Sequence, residues 1–295
     1  MTASIVARDA ATGELGVAVF TAYPSVGMRV PFTEPGVGAV AVQSFAPRRL
    51  GPRALELLRA GAGAAAVIEA LAAPEDASDT WQLAVLPARG EAAGFTGAGC
   101  VGFAGEATGL DCRCQANMMA AAGVPEAMCE AFSAAEGELA VRLLSALEAG
   151  ERAGGDARGR MSAALVVAPS EGEPWERSAD VRVDVHPDPL GQVARALAIH
   201  RAFALMDLAG ERAAVGDGEG AAQAGMAALA LAPDDAQLLL WIGLGAATGN
   251  LELGTGLVRR ALELQPSLAP LLGRIPAAVM PAAPAVRERL AHDGQ

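Results

Sequence analysis

Thr2 carries chemistry that an internal threonine cannot. Once Met1 is removed, a hydroxyl and a free α-amine sit on the same residue. The hydroxyl is then a nucleophile for a carbonyl carbon. The amine, with an ordinary pKa of about 7.7 to 8.0, is partly neutral near pH 7 and takes the hydroxyl proton directly or through water. Thr2 is small, so removal of Met1 is expected. A nucleophile on the first residue needs a rigid strand directly behind it, and the next residues supply one. Ser4 to Arg8 alternate apolar and polar, "DAATGE" provides Asp, Thr and Gly for a reversal, and "LGVAVFTA" reads as the returning strand. Many cytosolic proteins also begin Met-Thr, so the reading depends on partner residues.

Candidate partners stand elsewhere in the chain. Gln43 closes a strand predicted over 37–45, and Gln115 and Asn117 flank Ala116 in "CQANMM". Amide side chains donate to an oxyanion without adding charge; ordinary loop and strand-end hydrogen bonding is the alternative. In "GGDARGR", Gly154 and Gly155 free the backbone while Asp156 precedes Arg158 and Arg160. An acid between two guanidinium forks suits a substrate carboxylate or the orientation of the Thr2 amine, and it also suits a solvated ion pair. Ser162 starts a strand, where a hydroxyl either assists proton transfer or bonds to backbone. Asp184 and His186 share one face of a predicted strand and invite a triad reading, but "HPDP" marks the strand's end and reads equally as a hinge. His200 and His292 fall in a helical region and carry no argument. Cys100, Cys112, Cys114 and Cys129 lack C-x-x-C pairing and a nearby His, so they are read as buried free thiols and no metal is assigned. The chain contains no lysine, which excludes any mechanism built on a lysine ammonium.

The elements that must position these residues follow from periodicity. After the strand over 37–45, "GPRALELLRAG" and "GAAAVIEALAAPED" show helical spacing; "WQLAVLPARGEAAGFTG" reads as a hairpin turning at Arg89 and Gly90. "GVPEAMCEAFSAAEGELAVRLLSALEAGE" reads as one or two helices, and "MSAALVVAP" and "DVRVDVHPD" as strands. Hairpins alternating with helix pairs, on strands apolar at most positions, predict an α+β fold. Its antiparallel sheets stack with helices on the outer faces as a four-layer αββα sandwich over residues 1–189. No G-x-G-x-x-G stands between a strand and a helix, which argues against a dinucleotide fold. Beyond Pro189 the chain is rich in Ala and Leu. "GDGEGAAQAGMAALALAP" and "GNLELGTGLVRRALELQP" align with both glycines and both prolines offset by 33 residues (249 − 216 and 266 − 233). This resembles a tetratricopeptide repeat, one residue short of its usual period, over 190–280; plain helical hairpins are the alternative. Residues 281–295 are expected to form a flexible tail.

Composition narrows the function class. Residues are 52% hydrophobic but only 4% aromatic, and the formal net charge is −12, which opposes nucleic acid and anionic membrane surfaces. No run approaches the roughly 20 apolar residues of a membrane span, and Arg8, Asp9 and Glu14 stand where a signal peptide would be apolar. A cytoplasmic protein is expected.

Six blocks in order, "SIVARDAATGELGVAV", "VGMRVPFTEPGVGAVAVQS", "GPRALELLRAG", "CQANM", "GGDARGRMSAAL" and "VRVDVHPDP", resemble a bacterial family of uncharacterised proteins placed in the amino-terminal-nucleophile hydrolase superfamily. The resemblance spans residues 2 to about 190. It implies the αββα fold and, through the superfamily, amide hydrolysis. The chain departs from the pattern at Met161 (glutamine expected), Ala116 (glycine), Val185 (an acid) and "APRRLG" at 46–51 (no asparagine or tyrosine). Each exchange is expected to remove a polar group or add bulk near the site. The expected activity is hydrolysis of a small-molecule amide or ureide. Thr2, Gln43, Asn117 and Asp156 are the catalytic set, and Gln115, Arg158, Arg160 and Ser162 contact substrate. No cofactor is expected, and the helical repeat serves a protein partner or self-association. The alternative is a non-catalytic ligand-binding or scaffold protein on the same fold.

Overall fold

The computed structural model describes residues 2–73 and 76–293. Met1, whose removal the Thr2 chemistry requires, lies outside the described residues, as do Gly294 and Gln295 of the expected tail. The chain divides into two compact units, with the boundary after Leu197. In the first, the elements run β1 (Thr2–Arg8), β2 (Leu15–Thr21), β3 (Pro31–Glu34), β4 (Gly38–Ser44), α1 (Leu50–Arg59), α2 (Ala64–Ala72), β5 (Trp81–Pro87), β6 (Ala93–Thr96), β7 (Phe103–Gly109), β8 (Cys112–Met119), α3 (Val124–Ala134), α4 (Leu139–Arg152), β9 (Ser162–Ala168) and β10 (Ala179–Val183). Then α5 (Pro189–Ala214) carries the chain across the boundary, and α6 (Gly218–Leu231), α7 (Ala236–Ala246), α8 (Leu251–Leu264), α9 (Ala269–Arg274) and α10 (Ala283–Asp293) complete it.

The fold is α+β with two antiparallel sheets. One has six strands in the order β10-β9-β2-β1-β8-β7, the other four in the order β3-β4-β5-β6. The β1–β2 reversal is the one that "DAATGE" announces: Gly13 turns at φ 76 and its amide donates to the Asp9 carbonyl. Side-chain alternation then separates three apolar groups. Val6, Val17, Val19 and Ala164 of the larger sheet meet Ala39, Ala41, Ala84 and Leu86 of the smaller one, so these faces pack on each other. The opposite face of the larger sheet, including Ile5, Phe20 and Leu165, packs on α3 and α4 through Met128, Phe132, Leu143 and Leu147, and on Leu190, Val193 and Leu197 at the start of α5. Val40, Val42, Trp81, Leu83 and Val85 of the smaller sheet pack on α1 and α2. Because β1 is covered on both faces, its residues from Thr2 to Ala7 are all buried.

Three segments differ from the sequence reading. "CQANMM", which the sequence reading assigns to no element, lies within β8: its small residues on one face and amides on the other make an alternation that lacks bulky apolar signposts. The strand expected to reach His186 ends at Val183, and His186 Nδ1 instead accepts from the backbone amide of Asp188 at 2.9 Å. Residues 283–293, expected within a flexible tail, form α10, because Ala283 and Val286 bury fully against the helical core and Arg287 donates to the carbonyls of Leu272 and Ile275.

In the second unit the 33-residue offset recurs in the elements themselves: α8 begins and ends 33 residues after α6 (251 − 218 and 264 − 231), and α9 begins 33 after α7 (269 − 236). The caps repeat as well. Asp217 accepts from the Gly220 amide and Asn250 from the Leu253 amide, each satisfying one orphan donor of its helix. Gly254 lies where α8 meets α7; a Cβ there would stand 2.5 Å from Gly243 O and from Ala247 N and Cβ. Gly254→Val is therefore expected to cost about 2–4 kcal/mol through overpacking against backbone. Gly256→Ala, on the same helix with nothing within 4 Å, is expected to gain up to about 1 kcal/mol from helix propensity. Urea unfolding followed by circular dichroism on the full chain measures both.

Candidate functional site

At the end of the two sheets where β1 begins, the apolar layer between them gives way to polar side chains. Thr2 and Ser4 share the inward face of β1 with Val6, and pairing places Asn117 opposite Thr2 and Gln115 opposite Ser4. On the smaller sheet Gln43 pairs with Gln82. All six side chains are buried. Buried amides must satisfy one another, and these do so across the two sheets. Ser4 Oγ donates to Gln43 Oε1 at 2.7 Å, and Gln43 Nε2 donates to the Thr2 carbonyl at 3.1 Å and to Gln82 Oε1 at 2.6 Å. Gln82 Oε1 also accepts from Asn117 Nδ2 at 2.8 Å, while Gln82 Nε2 donates to the Ala116 carbonyl at 2.9 Å. Gln115 Nε2 reaches Ser4 Oγ and the Ala41 carbonyl, both at 3.4 Å. Two acceptors are left over: Asn117 Oδ1 and Gln115 Oε1 have no hydrogen-bond partner.

Thr2 Oγ1 donates to Thr21 Oγ1 at 3.4 Å. Thr21 in turn pairs with Ser162, and Ala22 just beyond it donates its amide to Asp156 Oδ2 at 2.9 Å. The "GGDARGR" loop is stitched to the same strand ends: Ala120 donates to the Gly155 carbonyl, Ala157 to Met118 and Met161 to Thr21. Asp156 thus arrives beside the residues that adjoin Thr2. The two guanidinium forks expected around it do not both form. Arg158 pairs with Asp156 at 3.0 Å through Nη2, but Arg160 pairs with Glu151 instead, since the loop directs it toward α4. Ser162 is committed to backbone. Its hydroxyl donates to the Tyr23 carbonyl at 2.5 Å and accepts from the Val26 amide at 3.2 Å, fixing the loop after β2.

Backbone strain collects at the same place. Among the described residues, four non-glycine residues have φ between 50° and 65°, and two of them, Ser44 (62°) and Met118 (53°), directly follow Gln43 and Asn117. Left-handed conformations cost a non-glycine residue about 1 kcal/mol or more and persist where the surroundings impose them. Ser44 ends β4, and Met118 sits where the β7–β8 register shifts, each directly after its amide.

Gln82 and Thr21 were missed by the sequence reading. Gln82 is the hub, yet in "WQLAVLP" it looks like any strand glutamine until register sets it opposite Gln43. Two of the departures do not fall at the site. Ala116 faces the α3 side of the larger sheet, and Val185 is exposed. A cavity of about 320 Å³ lies elsewhere, lined by Phe32, Thr33, Glu34, Arg59, Arg177 and Arg182; none of the Thr2 cluster lines it.

A second gathering is of sulfur. Cys112, Cys114 and Cys129 are buried with their sulfurs within 4.8 Å of one another. Hydrogen bonds from the Cys112 and Cys114 thiols pull the Cys129 thiol down to about 4, and burial pushes Cys114 well up.

Comparison with known families and structures gives three results. The family model described as a family of unknown function, DUF1028, matches residues 2–193. No curated protein matches the chain. Among solved structures, the chain is similar to the crystal structure of protein SPO2555 from Silicibacter pomeroyi, itself given as DUF1028. The sequence identity is 31% and the TM-score 0.61, over 66% of this chain and 84% of that one.

Proposed function

The chain belongs to the DUF1028 family, and we propose that it is an amide hydrolase of the amino-terminal-nucleophile type with Thr2 as nucleophile. One observation carries the reading. Thr2 opens a central strand with its hydroxyl in a buried polar cluster, opposite an Asn117 whose carbonyl oxygen lacks a partner. Removal of Met1 would add an amine donor on the residue that pairs with Asn117.

In this reading the Thr2 hydroxyl oxygen attacks the amide carbon and its proton passes to the α-amine. The tetrahedral intermediate then collapses, the leaving nitrogen departs with that proton, and water hydrolyses the resulting ester. Asn117 Nδ2 has a second hydrogen to offer a developing oxyanion. Gln43 acts by holding the Thr2 carbonyl, and Asp156 by fixing Ala22 beside Thr21. Arg158, partly exposed against Asp156, is read as the cation for a substrate carboxylate. We read the helix–sheet–sheet–helix packing as the αββα sandwich of that superfamily. The 33-residue helix pairs are read as tetratricopeptide-like, a surface for a protein partner or self-association, in a cytoplasmic protein.

Intact-mass measurement on protein expressed in bacteria is expected to show the loss of one methionine. Full retention leaves no free amine on Thr2 and overturns the mechanism. A second reading, ligand binding without turnover, is favoured by the separate cavity, where the buried Thr33 Oγ1 has no partner and Arg177 joins an Arg59 paired with Glu34 and an Arg182 paired with Asp180.

A further inference from the structure

Cys112 and Cys114 stand two residues apart on β8 and so share its α3-facing side, while Cys129 projects from α3 onto them. Cys112 Sγ lies 3.8 Å from Cys129 Sγ, and Cys129 Sγ lies 3.4 Å from the Ala107 carbonyl on β7. Across the β7–β8 pair, Gly109 opposes Cys112, and a Cβ at 109 would stand 2.7 Å from the Cys112 sulfur. The missing side chain preserves space over the triangle. Cys129 is 6% exposed and the other two 1% or less. The cluster lies beneath β7, an edge strand of its sheet. Cys100 is apart from it, against the Trp81 carbonyl.

We propose that Cys112, Cys114 and Cys129 form a three-sulfur binding site for Cu(I). Among the described residues no His, Asp or Glu joins the group, so the donor set is soft, which selects Cu(I) over hard cations. A structural zinc site closes with four ligands, and this one offers a triangle. Charge points the same way. The sulfurs are set among Ile5, Val124, Met128 and Phe132, where net charge is costly. One Cu(I) bound to a single thiolate leaves the cluster neutral with two thiols as further donors; a divalent ion would require at least two thiolates and a fourth ligand.

The test titrates the reduced full-length protein anaerobically with Cu(I) against a chromophoric Cu(I) chelator. Wild type and Cys100→Ser are expected to retain one equivalent each. Cys129→Ser is expected to lose about 100-fold or more in affinity, more than loss of an outer-shell partner costs. Equal retention by Cys129→Ser, or tighter retention of Zn(II) than of Cu(I) by wild type, overturns the proposal. X-ray absorption on the wild-type 1:1 complex decides independently of whether the variant folds. A shell of three sulfurs supports the site; two sulfurs, or any nitrogen or oxygen donor, overturn it.

Discussion

Thr2→Ala is expected to lower turnover of any amide the wild-type chain hydrolyses by about 10⁴-fold or more, because removing a covalent nucleophile forfeits several orders of magnitude. The fold should hardly register the change. The bond from the hydroxyl to Thr21 Oγ1, at 3.4 Å, is long, and a typical hydrogen bond contributes only about 1 kcal/mol net. Alanine is also small, so Met1 is expected to leave the variant as it leaves wild type. Thr2→Ser, which keeps hydroxyl and amine, is expected to retain part of the activity. The measurement is a parallel screen of small amides, ureides and N-acyl amino acids, with melting temperatures recorded for all three proteins. Equal turnover by wild type and Thr2→Ala moves the chemistry to another residue. Binding by both without conversion selects the ligand-binding reading.

Gln82→Leu is expected to be among the most damaging single changes in the sheet unit, at about 3–5 kcal/mol. The side chains are similar in size, so little cavity forms. What changes is pairing: Asn117 Nδ2 loses its acceptor and the Ala116 and Gly105 carbonyls lose a donor, while Gln43 Nε2 keeps only the Thr2 and Gln115 carbonyls. Each buried group left unsatisfied costs about 1–3 kcal/mol. Gln223→Leu, on an exposed helix face, is expected to fall within about 0.5 kcal/mol of wild type. Urea denaturation of the two variants decides the matter, and a Gln82→Leu loss below 1 kcal/mol would sink the account of the amide cluster as a tightly coupled network.

Much of the sheet unit was legible because its signals are local. The Asp9 to Gly13 turn, the β-branched runs of β1, β2 and β4 and the helical spacing of α1 to α4 each lie within one short window of sequence. Where cooperation between distant segments decides, the sequence is silent. β8 reads poorly because Cys112, Cys114 and Ala116 are small rather than bulky. The site was half legible. Thr2, Gln43, Gln115 and Asn117 do converge, but Gln82 acquires its meaning only from pairing with Gln43. Arg160 cannot be told from Arg158 until the loop's path sends it to Glu151. The sulfur triangle was invisible for the same reason: Cys129 lies 15 residues from Cys114 along the chain (129 − 114) and meets it only when α3 folds back over β8.

The near absence of aromatic residues has a spectroscopic consequence. Of the three tryptophans, Trp81 is 3% exposed in the core under α1 and α2, Trp241 packs partly buried in the helical unit, and Trp175 is 73% exposed. Each compact unit therefore contains one interior fluorophore of its own, and the third contributes a solvent-like emission that hardly moves on denaturation. A red shift traced with Trp241 replaced by phenylalanine reports on the sheet unit alone, and the reciprocal change at Trp81 isolates the helices.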